Sequence, residues 1–132
     1  MSASYGKGDR GKATKLHSKL VRARADNRCE RCGRTRGDIN PDTGKEVKQI
    51  HCAHIISRNV PATRTAENNA FCLCASCHWY FGKWPVEFAK FVFEHIGEGG
   101  YEALLFKATR GKGKKVDWAG EVKRLESLLS CY

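Results

Sequence analysis

Acidic side chains are scarce in this chain: 14 Asp and Glu stand against 24 Lys and Arg, giving a formal net charge of +10 and a pI near 9.5. The imbalance implies a polyanionic partner, and nucleic acid is the natural candidate. Long apolar runs are lacking as well, which argues against a membrane interior as that partner. No signal-peptide pattern opens the sequence, so a disulfide framework is not expected and a cytoplasmic location is. Length is short too. A chain of 132 residues with 41% hydrophobic content can build one domain but hardly two. Residues 1–13 have almost no apolar content and many Gly, Ser and Lys, so burial cannot offset the entropy of ordering them. They are expected to form a flexible basic arm ahead of a single domain over 14–132.

Cysteine, by contrast, is plentiful at seven. Cys29-x-x-Cys32 and Cys74-x-x-Cys77 are two short pairs, each able to present two sulfurs from one knuckle to a single tetrahedral ion. Structural zinc is the expectation. With four protein ligands the ion has no position left for water or substrate, so chemistry must come from other residues. Cys52, Cys72 and Cys131 remain, an odd number that suits a reducing compartment.

Local signals predict the elements around these pairs. Good helix formers follow a candidate N-cap at Thr14, with Leu16, Leu20 and Ala23 on one side, and predict a short basic helix to about Asp26. Gly33 can supply the positive φ of a tight metal-binding turn. Residues 47–56 are rich in β-branched side chains and predict a strand on which His51 and Ala53 share one face while Ile50, Cys52 and His54 share the other. An irregular loop follows to about Asn69. Helices are predicted from about His78 to Gly82, and from Pro85 to Ile96 with Val86, Ala89, Val92, Phe93 and Ile96 at helical spacing. Phe88, Phe91 and Phe93 are read as core. A short helix is predicted around Tyr101–Ala108, then a basic loop, and a last helix capped by Asp117 with a Trp118, Val122, Leu125 and Leu129 stripe. That stripe is expected to pack on the core or on a second subunit, which leaves a homodimer through the C-terminal helices open.

Cys29-x-x-Cys32, Ala53-His54-Ile55-Ile56, Asn69 and Cys74-x-x-Cys77-His78 together resemble the HNH endonuclease family over about residues 28–82. His54-Ile-Ile-Ser57-Arg58 and Arg64-Thr-Ala-Glu-Asn68 look closest to small phage and prophage members, including NinG/Rap-like recombination nucleases. The resemblance implies an α+β fold. Its centre would be a ββα-metal (His-Me finger) core braced by the four-cysteine zinc site, with a helical extension over about 85–131. It also implies DNA recombination as a setting and, for a phage-encoded chain, the host cytoplasm as location.

Phosphodiester hydrolysis needs an activated water and stabilised charge on the phosphate and leaving oxygen. His54 is the candidate general base, since an imidazole accepts a proton near neutral pH. Asn69 resembles the middle Asn that ties the loop and orients the base, with Asn68 as the competing assignment. His78 resembles the last His and would ligate a catalytic Mg²⁺, Mn²⁺ or other divalent ion; serving as a spare zinc ligand is the alternative. Many members carry a ligating Asp or His where Ala53 stands, and alanine cannot ligate. His51, about 6.6 Å away along the strand, is the candidate replacement. Arg58 and Arg64 could clamp phosphate oxygens through guanidinium forks. The leading expectation is a metal-dependent DNA endonuclease and the runner-up a non-catalytic zinc-dependent DNA-binding module. RNA is a weaker third partner.

Overall fold

The computed structural model describes residues 8–132; the first part of the expected arm, residues 1–7, lies outside them. Among the described residues the chain is α+β, with four helices and one two-stranded sheet: α1 (Gly8–Arg24), β1 (Ile50–His54), β2 (Ala70–Cys74), α2 (Ala75–Lys83), α3 (Pro85–Arg110) and α4 (Trp118–Leu129). β1 and β2 pair antiparallel, with Ile50 opposite Cys74 and His54 opposite Ala70. α2 follows β2 without a linker. None of the described helices is long and apolar enough to cross a membrane.

The sheet, α2 and the first half of α3 share one core. The Phe91 ring of α3 lies with its centroid 4.8 Å from that of Phe71 on β2 and 5.0 Å from that of Phe81 on α2. This cluster sets the rotation of α3. Phe88, Phe91 and Val92 turn inward, whereas Val86, Ala89 and Phe93, expected in the buried stripe, are exposed, Val86 at 71% and Phe93 at 46%. Helical periodicity alone admits both faces; the aromatic partners on β2 and α2 decide between them. α3 breaks at Gly97, whose φ of 72° and ψ of 169° are open to glycine and to few other residues, so its halves match the two helices expected separately.

A second core lies between α1 and α4. Ala13 and Leu20 bury against Val122 and Leu125, so the apolar stripe of α4 is covered within the same chain. This packing also explains why α1 starts at Gly8 rather than at Thr14. Residues 8–13, assigned to the flexible arm by composition, gain Ala13 as a fully buried contact, and tertiary burial overrides weak local propensity. Thr14 is an interior helical residue whose hydroxyl donates to the Arg10 carbonyl at 2.8 Å. Asp117 caps α4 as its position suggested, accepting from the Gly120 amide at 3.0 Å.

Arg124 ties α4 to the loop before β2, donating to Glu121, Glu67 and the Thr65 carbonyl. Burial works against ionisation of both carboxyls, yet hydrogen bonds, including those from Arg124, hold them below the usual carboxylate range. A carboxylate with a lowered folded pKa contributes stability above its unfolded pKa of about 4.3 and loses it as pH falls through the folded value. Water screens the Arg124–Glu67 pair, whose side chains are 35% and 53% exposed, so Arg124→Met is expected to cost about 0.5–1.5 kcal/mol at pH 7, a difference that closes towards pH 3. Urea midpoints at the two pH values would measure it, and an equal loss at both would assign the effect to packing.

Candidate functional site

The two cysteine pairs converge from different parts of the chain. Cys74 ends β2 and Cys77 lies in the first turn of α2. The first knuckle is laid along β2 by Glu30. Its amide donates to the Cys72 carbonyl and its carboxylate accepts from the Cys72 amide, both at 2.7 Å. Gly33, at φ 77°, closes the turn by donating to the Cys29 carbonyl at 2.8 Å.

As a result the four sulfurs lie within 4.8 Å of one another, close enough to share one metal ion. All are free thiols, and Cys32 Sγ and Cys74 Sγ are 3.7 Å apart. That is far beyond the disulfide bond length of about 2.0 Å. It matches the edge, about 3.8 Å, of a tetrahedron with Zn–S bonds of about 2.3 Å, so the donor set and its spacing are consistent with zinc. A hydrogen bond from Cys77 pulls the Cys29 thiol down to about 4, and the same contact pushes Cys77 up. Arg31 supports the cluster from outside: its guanidinium donates to Cys77 Sγ at 3.4 Å and lies 4.1 Å above the Tyr80 ring. His78 is not part of this cluster.

Instead, His78 turns towards β1. Its Nδ1 faces the Nδ1 of His51 at 2.9 Å. His51 Nε2 lies 2.9 Å from Gln49 Oε1 and donates to it, which leaves His51 Nδ1 as an acceptor. Strand alternation then places Cys52 and His54 towards α1, where the His54 ring centroid is 5.2 Å from that of His17. Ala53 is buried in the main core, 1% exposed.

His54 Nε2 is 2.9 Å from the Arg64 carbonyl. A carbonyl only accepts, so Nε2 carries the proton and Nδ1 keeps its lone pair. Burial chiefly lowers the His54 pKa, aided by the Arg58 and Arg64 cations and opposed by the Arg64 carbonyl. Burial also lowers His51, His78 and His17, the last to about 4. All four imidazoles are neutral at pH 7.

No protein-family model, curated protein or solved structure matches this chain.

Asn69 is fully buried behind this face. Its Oδ1 accepts from the Ile56 amide at 2.8 Å, and its Nδ2 donates to the Ile56 and Thr63 carbonyls at 3.0 and 2.9 Å. Those bonds close the 56–69 loop that carries Arg64, the partner of His54. Asn68 is exposed. Arg64 donates to Thr14 Oγ1 at 2.8 Å and to the Arg58 carbonyl at 3.2 Å, while Arg58 is exposed at the loop surface. Arg10 and Arg58 both act on the charge of Arg64, so three guanidinium groups gather around the residue whose carbonyl holds His54. A groove of about 870 Å³ lined by Lys45, Lys48, Gln49 and Ser76 adjoins the His51 side.

Two contributors escape a reading of the sequence. His17 sits on α1 between the buried residues Ala13, Thr14, Leu20 and Val21, and a histidine on the inward face of a basic helix is the available signal. Glu30 has none, because its role depends on the strand that the knuckle docks against.

Proposed function

We propose that this protein is an HNH-type, metal-dependent DNA endonuclease that nicks or cuts duplex or branched DNA by hydrolysing phosphodiester bonds. The observation that carries this reading is the state of His54: a neutral imidazole with Nε2–H committed to a backbone carbonyl and Nδ1 available as a proton acceptor. The β1–β2–α2 succession around it has the order expected of a ββα-metal core.

In this reading His54 Nδ1 takes the proton of the attacking water, and Asn69 keeps the base oriented by fixing the loop that carries its partner carbonyl. His51 and His78 would hold the catalytic divalent ion, which supplies positive charge beside the phosphate and leaving oxygen. Their nitrogen spacing of 2.9 Å suits this. Two ligands about 2.1 Å from an ion at adjacent octahedral positions are about 3.0 Å apart, and His51 thereby replaces the ligand that Ala53 cannot provide. Imidazole donors favour transition ions over Mg²⁺, so Mn²⁺, Co²⁺ or Ni²⁺ should support faster cleavage. Zinc held by Cys29, Cys32, Cys74 and Cys77 would brace the core.

The gathered Arg10, Arg58 and Arg64, the exposed Lys12, Lys15 and Lys19 of α1, and the lysines of the groove support a polyanionic substrate. A homodimer through the C-terminal helices would need a surface other than the α4 stripe covered by α1. The buried Ala53 favours the second reading, a non-catalytic zinc-dependent DNA-binding module. Conversion of supercoiled plasmid to nicked or linear form with Mg²⁺, Mn²⁺ or EDTA decides between them. Metal-dependent cutting, lost in His78→Ala, is expected; tight binding without cutting, on branched DNA as well, would establish the module instead.

A further inference from the structure

We propose that His17, Cys52 and His54 form a second metal site, distinct from the four-cysteine cluster and from the His51–His78 pair, at which zinc or a similar soft transition ion switches off the general base. The regulatory part rests on the role assigned to His54 above; the metal site itself does not.

Three observations carry it. One potential ligand atom from each of these residues lies within 4.8 Å of the others. Both histidines are already set as metal-binding imidazoles usually are, with the far ring nitrogen donating to a backbone carbonyl: His17 Nε2 to Ala66 at 2.8 Å and His54 Nε2 to Arg64 at 2.9 Å. Those carbonyls belong to one loop, so a single segment fixes both tautomers. The His54 Nδ1 lone pair remains available, and that of His17 accepts from the Cys52 thiol, whose Sγ lies 4.0 Å away; metal binding would remove that thiol proton. In a tetrahedral site with Zn–N of about 2.1 Å and Zn–S of about 2.3 Å those two atoms stand about 3.6 Å apart, so this pair needs to close by a few tenths of an ångström, and the other ligand atoms start within 4.8 Å.

The donor set determines the ligand class. Two imidazoles and a thiolate select zinc, cobalt or copper and discriminate against Mg²⁺ and Ca²⁺, which prefer oxygen. On binding, the Cys52 thiol gives its proton to solvent and its sulfur to the ion. The ion also takes the His54 Nδ1 lone pair, so that nitrogen can no longer accept a proton from water. Excess zinc would thus stop cleavage even with the catalytic ion supplied.

Cobalt(II) titrated into the zinc-containing protein tests the site without reference to activity. A near-ultraviolet thiolate-to-cobalt charge-transfer band should grow to one equivalent while metal analysis shows the zinc of the four-cysteine cluster retained. The band should vanish in Cys52→Ala, with Cys52→Ser as the second variant if that protein folds poorly. Cys52 has no part in the proposed cleavage, so the variant should cut DNA at the wild-type rate. Loss of a ligand should weaken binding at least as much as loss of an outer partner, so its half-inhibitory zinc concentration should rise by about 10–100-fold. No band, or a band that persists in both variants, would overturn the site. A band lost in Cys52→Ala with zinc inhibition unchanged, or cleavage that rises with the second equivalent, would overturn the switch. A protein that shows the band but cuts no DNA would retain the site and remove the nuclease reading with its regulation.

Discussion

His54→Ala is expected to lower plasmid cleavage by about 10²- to 10⁴-fold, the usual contribution of a positioned general base, while zinc content and DNA affinity stay near wild type. His54 is half-buried, and its ring makes one hydrogen bond to the Arg64 carbonyl, so truncation removes little packing. The proton acceptor is what disappears. The same assignment fixes the pH profile. A general base works when neutral, and burial together with Arg58 and Arg64 holds the folded pKa below the ordinary imidazole value of about 6.5. Cleavage should therefore hold its rate as pH falls from 7 through 6.5 and decline only at lower pH. Rates measured from pH 5 to 8 in Mn²⁺ would check this, and a variant that cuts as fast as wild type would sink the assignment.

Cys74→Ala should abolish the fold, not merely weaken it. Structural zinc contributes about 10–16 kcal/mol of apparent binding free energy in small domains, against a total stability of about 5–15 kcal/mol for a typical domain. Losing even half of that contribution, about 5–8 kcal/mol, is comparable with the whole stability of such a domain. Cys74 also closes the β1–β2 register opposite Ile50 and stands at the N-cap of α2, so three elements share its fate. Metal analysis beside thermal melting by circular dichroism is the measurement. A zinc-free Cys74→Ala protein that melts like wild type would refute a structural role for the ion.

What the sequence makes legible is what local chemistry decides. The two cysteine pairs announce their cluster through spacing, Pro85 marks a helix start, and Asp117 announces a cap. Other features depend on partners distant in the chain. On α3, Phe91 is core as expected and Phe93 is not, because Phe71 and Phe81 meet Phe91 and leave Phe93 46% exposed. α1 starts six residues before the expected cap because Ala13 finds its contact on α4, more than a hundred residues away. His51 and His78 are each legible as candidates. Their approach within hydrogen-bonding distance is not, because it depends on how α2 sits against β1.

The docking of Glu30 on Cys72 has a consequence for solubility. A two-stranded ribbon has two open edges, each a template for strands of other molecules. Through amide and carboxylate, Glu30 occupies both backbone hydrogen-bonding groups of Cys72 on the β2 edge, and the metal-binding turn holds Glu30 there. An ion held by the four cysteines would thus guard against intermolecular strand pairing. Without it the apolar edge Ala70–Cys74 would be uncovered, and metal-starved chains would meet as growing β-aggregates before they could be rescued by refolding.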